Sequence, residues 1–221
     1  MKKLMLTLAL LLSFSTTVLM AQSKMDLKLY EAVDTGNSHM IQRYVERGAN
    51  INAVDKYDNT PLYYAIVHKK LKVAKALIAQ GANVNHLNMD NNSPLSAAVL
   101  NDDYEAVTML MDENADPYFK SEKGQTALHL AAIKGHYNAA VALISSGVEV
   151  QSDSDGISAL MVAASRGHDK IVRILLSNGA DMPTDPNENE ILAIAKERGH
   201  TNVVNVILAY NHLMSGLALS E

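Results

Sequence analysis

Apolar and polar positions along this chain recur in blocks that return at a nearly constant interval. Thr60-Pro61-Leu62 is matched by Ser93-Pro94-Leu95 33 residues on, and by Thr126-Ala127-Leu128 33 beyond that. Ser158-Ala159-Leu160 and Glu190-Ile191-Leu192 follow at steps of 32, and Leu27-Lys28-Leu29 stands 33 before the first. The third position of every copy is Leu (Leu29, Leu62, Leu95, Leu128, Leu160, Leu192) and the sixth is Ala (Ala32, Ala65, Ala98, Ala131, Ala163, Ala195). A period of this length marks stacked copies of one supersecondary unit, none of which can bury its apolar face alone. The small residue lets neighbouring helices approach closely, and the Leu fills the space between layers. Later in each copy a second apolar patch, such as Ile171, Val172, Ile174, Leu175 and Leu176, has the spacing of a helix with one buried face.

The punctuation between these helices is also periodic. Thr60 and Ser93 are suited to accept hydrogen bonds from the first free amides of a helix, and Pro61 and Pro94 sit where a missing N–H costs nothing. Gly135-His136, Gly167-His168 and Gly199-His200 predict a tight turn between two helices. A second stop is expected at Gly48, Gly81, Asn114, Gly147, Gly179 and Asn211, because Gly and Asn tolerate the left-handed conformation that ends a helix.

Gln125-Thr126-Ala127-Leu128-His129-Leu130-Ala131-Ala132 through Gly135-His136 resembles the central motif of the ankyrin repeat, and Gly81-Ala82-Asn83-Val84-Asn85 resembles its closing turn. The resemblance implies an all-α solenoid of about six helix-turn-helix units with projecting hairpin loops. The repeats are expected near 24–54, 55–87, 88–120, 121–152, 153–184 and 185–212, within a domain spanning 22–212, and 213–221 is expected to form a C-terminal tail.

Composition refines this picture at the N-terminus. Met1-Lys2-Lys3 is positive, Leu4 to Leu19 is apolar apart from scattered Ser and Thr, and Ala21 offers a small residue for cleavage. That is the layout of a secretory signal over residues 1–21. Without this segment, which holds two lysines and no acid, the 19 basic residues fall to 17 against 24 acidic ones, a formal charge of −7. Such a balance argues against nucleic acid and anionic membranes, both of which select basic surfaces. The chain has no cysteine, so an exported form would stand on packing alone.

Candidate chemistry is sparse. The eight histidines include three at the Gly-His turn, where repetition in one slot points to turn hydrogen bonding. No HExxH pair, nucleophile elbow, phosphate-binding loop or dinucleotide turn is present, so no catalytic, cofactor or metal site is expected. Asp153-Ser154-Asp155-Gly156 resembles part of a calcium loop, but Gln151 and Val162 occupy its first and twelfth positions, and an acidic loop tip is the expectation.

What remains is recognition of another protein. The framework of a repeat solenoid is committed to stacking, which leaves the loop tips and the concave face free. The partner-binding residues expected on this phasing are Tyr57, Met89, Asp90, Lys123, Asp155 and Ile157 at tips, with Asn59 beside them, and His68, Lys134 and Arg166 at the ends of first helices. Tyr118 and Phe119 join them, standing where the ankyrin loop usually carries Asn and a small residue. The expected protein is a non-catalytic periplasmic binder of one or more proteins, monomeric alone and without stable membrane insertion once its signal is cleaved. Three roles fit it: an immunity or inhibitor protein against a toxic enzyme acting in the periplasm, an envelope adaptor, or an accessory factor in oxidative defence. The last follows from the resemblance to exported bacterial ankyrin proteins that accompany catalases.

Overall fold

The computed structural model describes residues 24–121, 123–151, 158–182 and 190–218. The chain forms two compact units, divided between Pro94 and Leu95. Among the described residues helix follows helix and no strand occurs. The N-terminal unit holds α1 (24–35), α2 (His39–Glu46), α3 (Pro61–Val67) and α4 (Leu71–Ala79). The C-terminal unit is built from α5 (Pro94–Leu100), α6 (Tyr104–Asp112), α7 (Ala127–Lys134), α8 (Tyr137–Ser145), α9 (Ala159–Arg166), α10 (Asp169–Ser177), α11 (Glu190–Glu197) and α12 (Thr201–Ala218).

The repeated Leu and Ala are the reason these short helices persist. Seven to nine residues are too few for an isolated helix in water, so packing must hold them. All six Leu and all six Ala of the motif are buried, none more than 6% exposed. In the C-terminal unit, α7, α9 and α11 pack side by side as a layer of first helices, and α6, α8, α10 and α12 form a second layer behind them. In the N-terminal unit α2 packs against α4, and α4 against α3. Ile171, Val172, Leu175 and Leu176 of α10 are all buried, as their spacing predicts.

Two of the first helices are capped by the hydroxyl that opens the motif. Thr60 Oγ1 accepts from the Tyr63 amide at 3.2 Å and Ser158 Oγ from Met161 at 3.1 Å. Thr126 caps no amide; its hydroxyl instead lies 2.8 Å from His129 Nδ1. Each first helix ends in a left-handed residue at one register: Gly36, Lys69, Asp102, Gly135, Gly167 and Gly199. Lys69 and Asp102 hold this conformation with a side chain, but at two of the glycines space is short as well, because a Cβ on Gly135 would lie 2.6 Å from the His168 ring and one on Gly167 2.7 Å from that of His200.

Of the second stops, Gly48, Gly81, Asn114, Gly147 and Gly179 have positive φ. Asn211 does not stop its helix: α12 runs on through residue 218. Asn inside a helix costs only about 0.7 kcal/mol relative to Ala, and His212, Leu213 and Met214 that follow all accept helical backbone.

Candidate functional site

The loops between repeats are organised by short polar side chains bonding to backbone. In the N-terminal unit the Asp55 carboxylate takes the amides of Tyr57 (2.8 Å) and Asn59 (2.9 Å), the Asn59 side chain and the Tyr64 hydroxyl (2.8 Å). Burial alone would raise the Asp55 pKa, but the bonds from Asn59, Tyr57 and Tyr64 outweigh it and hold the carboxyl below its ordinary range. One repeat later Asn88 does the same work, its Oδ1 accepting from Asp90 and Asn92. The two loops are tied together by Asn88 Nδ2 donating to Asn59 Oδ1 at 2.8 Å and by the Met89 amide donating to the Tyr57 carbonyl at 3.1 Å. Asn59 is therefore buried loop framework and is withdrawn from the candidate surface.

What this scaffold holds outward is Tyr57, 54% exposed, and Met89, 66% exposed, on adjoining tips. Lys56 Nζ sits 4.8 Å from the Tyr57 ring centre, and Asp90 is exposed beside Met89. His68, exposed at the end of α3, stacks on Tyr64 with ring centres 5.9 Å apart. Tyr64 in turn meets Tyr30 edge-to-face at 5.7 Å. The Tyr30 hydroxyl lies 2.9 Å from the Ala53 carbonyl and 2.7 Å from that of Asn59, pinning α1 to the next loop. Burial, with the nearby charge of Asp55, raises the Tyr30 hydroxyl pKa, and the hydrogen bond to Asp55 followed by burial raises that of Tyr64. With Val33, Asp34 and Asp55 these three rings line a pocket of about 270 Å³.

The C-terminal unit presents different side chains on the same frame. Lys134 and Arg166 are exposed at the C-terminal ends of α7 and α9, where a cation is favoured by the helix dipole. Arg198 extends this row at the end of α11, donating to the Ser165 carbonyl at 3.1 Å. Lys123 is exposed in the turn closed by the bond from Gly124 N to Ser121 O at 2.8 Å. Tyr118 is 51% exposed, yet its hydroxyl accepts from the Glu149 amide at 3.2 Å. Asn52 and Gln151 accept the corresponding amides of Asn83 and Asp181. Tyr118 thus fills a structural slot with a larger side chain, while its ring and that of Phe119 stay accessible. Asp155 and Ile157, like the acidic tip 153–156 and the expected signal over 1–21, lie outside the described residues.

The Gly-His histidines are spent on stacking. His136 Nδ1 lies 2.8 Å from the Val99 carbonyl, His168 Nε2 3.4 Å from that of Ile133, and His200 Nε2 3.1 Å from that of Ser165. Each ring carries its proton to the end of the preceding first helix, so the turn histidine joins one repeat to the next. No three His, Asp or Glu side chains come together to hold a metal among the described residues, and no described helix is long and apolar enough to cross a membrane.

The family described as ankyrin repeats in three copies matches this sequence over residues 29–121 and again over 95–185. The chain is an ankyrin-repeat protein. A putative ankyrin repeat protein of fowlpox virus (strain NVSL) is 39% identical over 49 residues, which is 22% of this chain. The chain spans only about a third of that relative, 35% of its length. Ankyrin repeats are protein–protein interaction modules and in general non-catalytic, and the stacked helix pairs found here are that fold.

Sequence reasoning missed Tyr30, Tyr64 and Arg198. A signal for Tyr64 existed: the fifth motif position is Ala97, Leu130, Val162 and Ile194 in later repeats, and Tyr only here. Arg198 was legible as the third basic residue preceding a turn glycine, after Lys134 and Arg166.

Proposed function

We propose that this ankyrin protein is exported to the periplasm and binds one partner protein through its loop tips and the exposed ends of its first helices. The observation that carries the reading is the pair Tyr57 and Met89. Both are large, apolar and more than half exposed, on tips held rigid by the Asp55 and Asn88 networks and by the bond from Met89 N to Tyr57 O. Preordered tips lose little entropy on binding, and aromatic and Met side chains are enriched at the centres of interfaces. The basic start, apolar run and Ala21 of the N-terminus support export.

The test is quantitative affinity capture from periplasmic extract with the wild-type protein and a Tyr57→Ala/Met89→Ala double variant. The expected result is one stoichiometric companion with wild type and at least tenfold less with the variant, the loss of two interface anchors costing about 2 kcal/mol or more. Helical circular dichroism should be unchanged. Equal recovery by both proteins contradicts the surface assignment. N-terminal sequencing of the exported form should begin at Gln22; a chain that retains Met1 contradicts cleavage.

A further inference from the structure

The pocket lined by Tyr30, Tyr64, His68, Asp34 and Asp55 has a composition that selects its occupant. Three ring systems meet there, Tyr30 against Tyr64 edge-to-face and His68 nearly parallel to Tyr64, with 11° between the planes. The faces of the two tyrosines carry negative potential and attract cations. Two carboxylates add to it. Asp55 already receives four hydrogen bonds, so it contributes field rather than a free ligand atom. Asp34 differs, because its side chain is 86% exposed at the mouth.

The cation already present leaves room for another. Lys70 Nζ donates to the backbone carbonyl of Asp34 and stands 3.9 Å from its carboxylate. It therefore covers one edge of that group and leaves the rest to solvent. A metal ion is a poor occupant, since one of the two carboxylates is saturated. An anion meets repulsion from both, and an apolar group would desolvate Asp34 without replacing water. A planar guanidinium satisfies each element at once, stacking on the rings while its forked donors reach the carboxylate.

We propose that this pocket receives an arginine side chain of the partner protein, stacked on the aromatic cluster and paired with Asp34. The pocket is then the anchor point of the binding surface described above, and the inference rests on that reading. Its test needs no partner, so its failure leaves the capture experiment untouched. The ¹⁵N-labelled protein is titrated with N-acetyl-arginine methylamide and, separately, with the neutral isostere N-acetyl-citrulline methylamide. The arginine compound should shift the amides of Asp34, Asp55, Tyr64 and His68 in a saturable manner, and citrulline should not. Asp34→Asn, at an exposed position that does not endanger folding, should weaken the arginine compound about threefold, the size expected for one partly exposed ion pair. No shifts at these residues, equal shifts with citrulline, or unchanged affinity in Asp34→Asn would each overturn the proposal.

Discussion

The two units of this protein share a frame and differ in what they hang on it. In both, a motif Leu and Ala are buried in each repeat, first helices end in a left-handed residue, and loops are closed by side chains accepting backbone amides. On the inner slots they diverge. The N-terminal unit places Tyr30, Tyr64 and His68 beside Asp34 and Asp55, whereas the C-terminal unit places Leu130 and Val162 on its first helices and Lys134, Arg166 and Arg198 at their ends. The lesson is that framework and recognition occupy separate positions in the same motif, so that a slot can change chemistry without disturbing the stack.

If the frame is common, its largest residues should matter equally in both units. Leu62→Ala and Leu160→Ala should each cost about 3–5 kcal/mol in urea unfolding, both side chains being fully buried. A cost below 1 kcal/mol in either unit would break the equivalence. The turn sharpens the contrast. Gly135→Ala should cost about 2 kcal/mol, through left-handed strain and collision with the His168 ring. Lys69 holds the same conformation without glycine, so Lys69→Gly should be neutral or stabilise by about 0.5 kcal/mol. A destabilising Lys69→Gly would show that the turn is held by the Lys side chain rather than strained by it.

A smaller effect follows from Asp55. Its folded pKa lies below the ordinary 3.8, so its stabilising contribution is complete above that value and is lost as pH falls through the lower, folded one. Asp55→Asn should therefore flatten the acid limb of the stability curve of the N-terminal unit and leave neutral pH less affected. An unchanged acid limb would mean that the hydrogen bonds to Asp55 carry no linkage. Smallest of all, Tyr118→Phe removes one hydrogen bond, to Glu149, and should cost about 1 kcal/mol or less by thermal unfolding.

Much of the fold was legible because stacking imposes one residue type per slot. The period at Leu29 through Leu192 places the helices, and the turn glycines place the reversals. Asn211 misled because Asn both stops helices and is tolerated within them, and only the residues around it decide. The site was less legible. Tyr57 and Met89 were visible as large apolar residues at predicted tips, but Asn59 two residues on was buried by a partner 29 positions away, which no local pattern reveals. Tyr118 stood out as an aromatic in an Asn slot, and the structure gives its hydroxyl the same amide-accepting task that Asn52 performs. The aromatic pocket needed Tyr30 and Tyr64 to be brought together from different repeats at non-equivalent motif positions, beyond the reach of a periodic reading.

The most direct test of protein recognition through the tips is photocrosslinking in intact cells. A benzophenone amino acid is placed at position 57, and in a second strain at Lys75, exposed on α4 away from the loop tips in sequence. The account predicts one discrete protein adduct from position 57 and none from position 75. An adduct from position 75 alone, or from neither position, would contradict it.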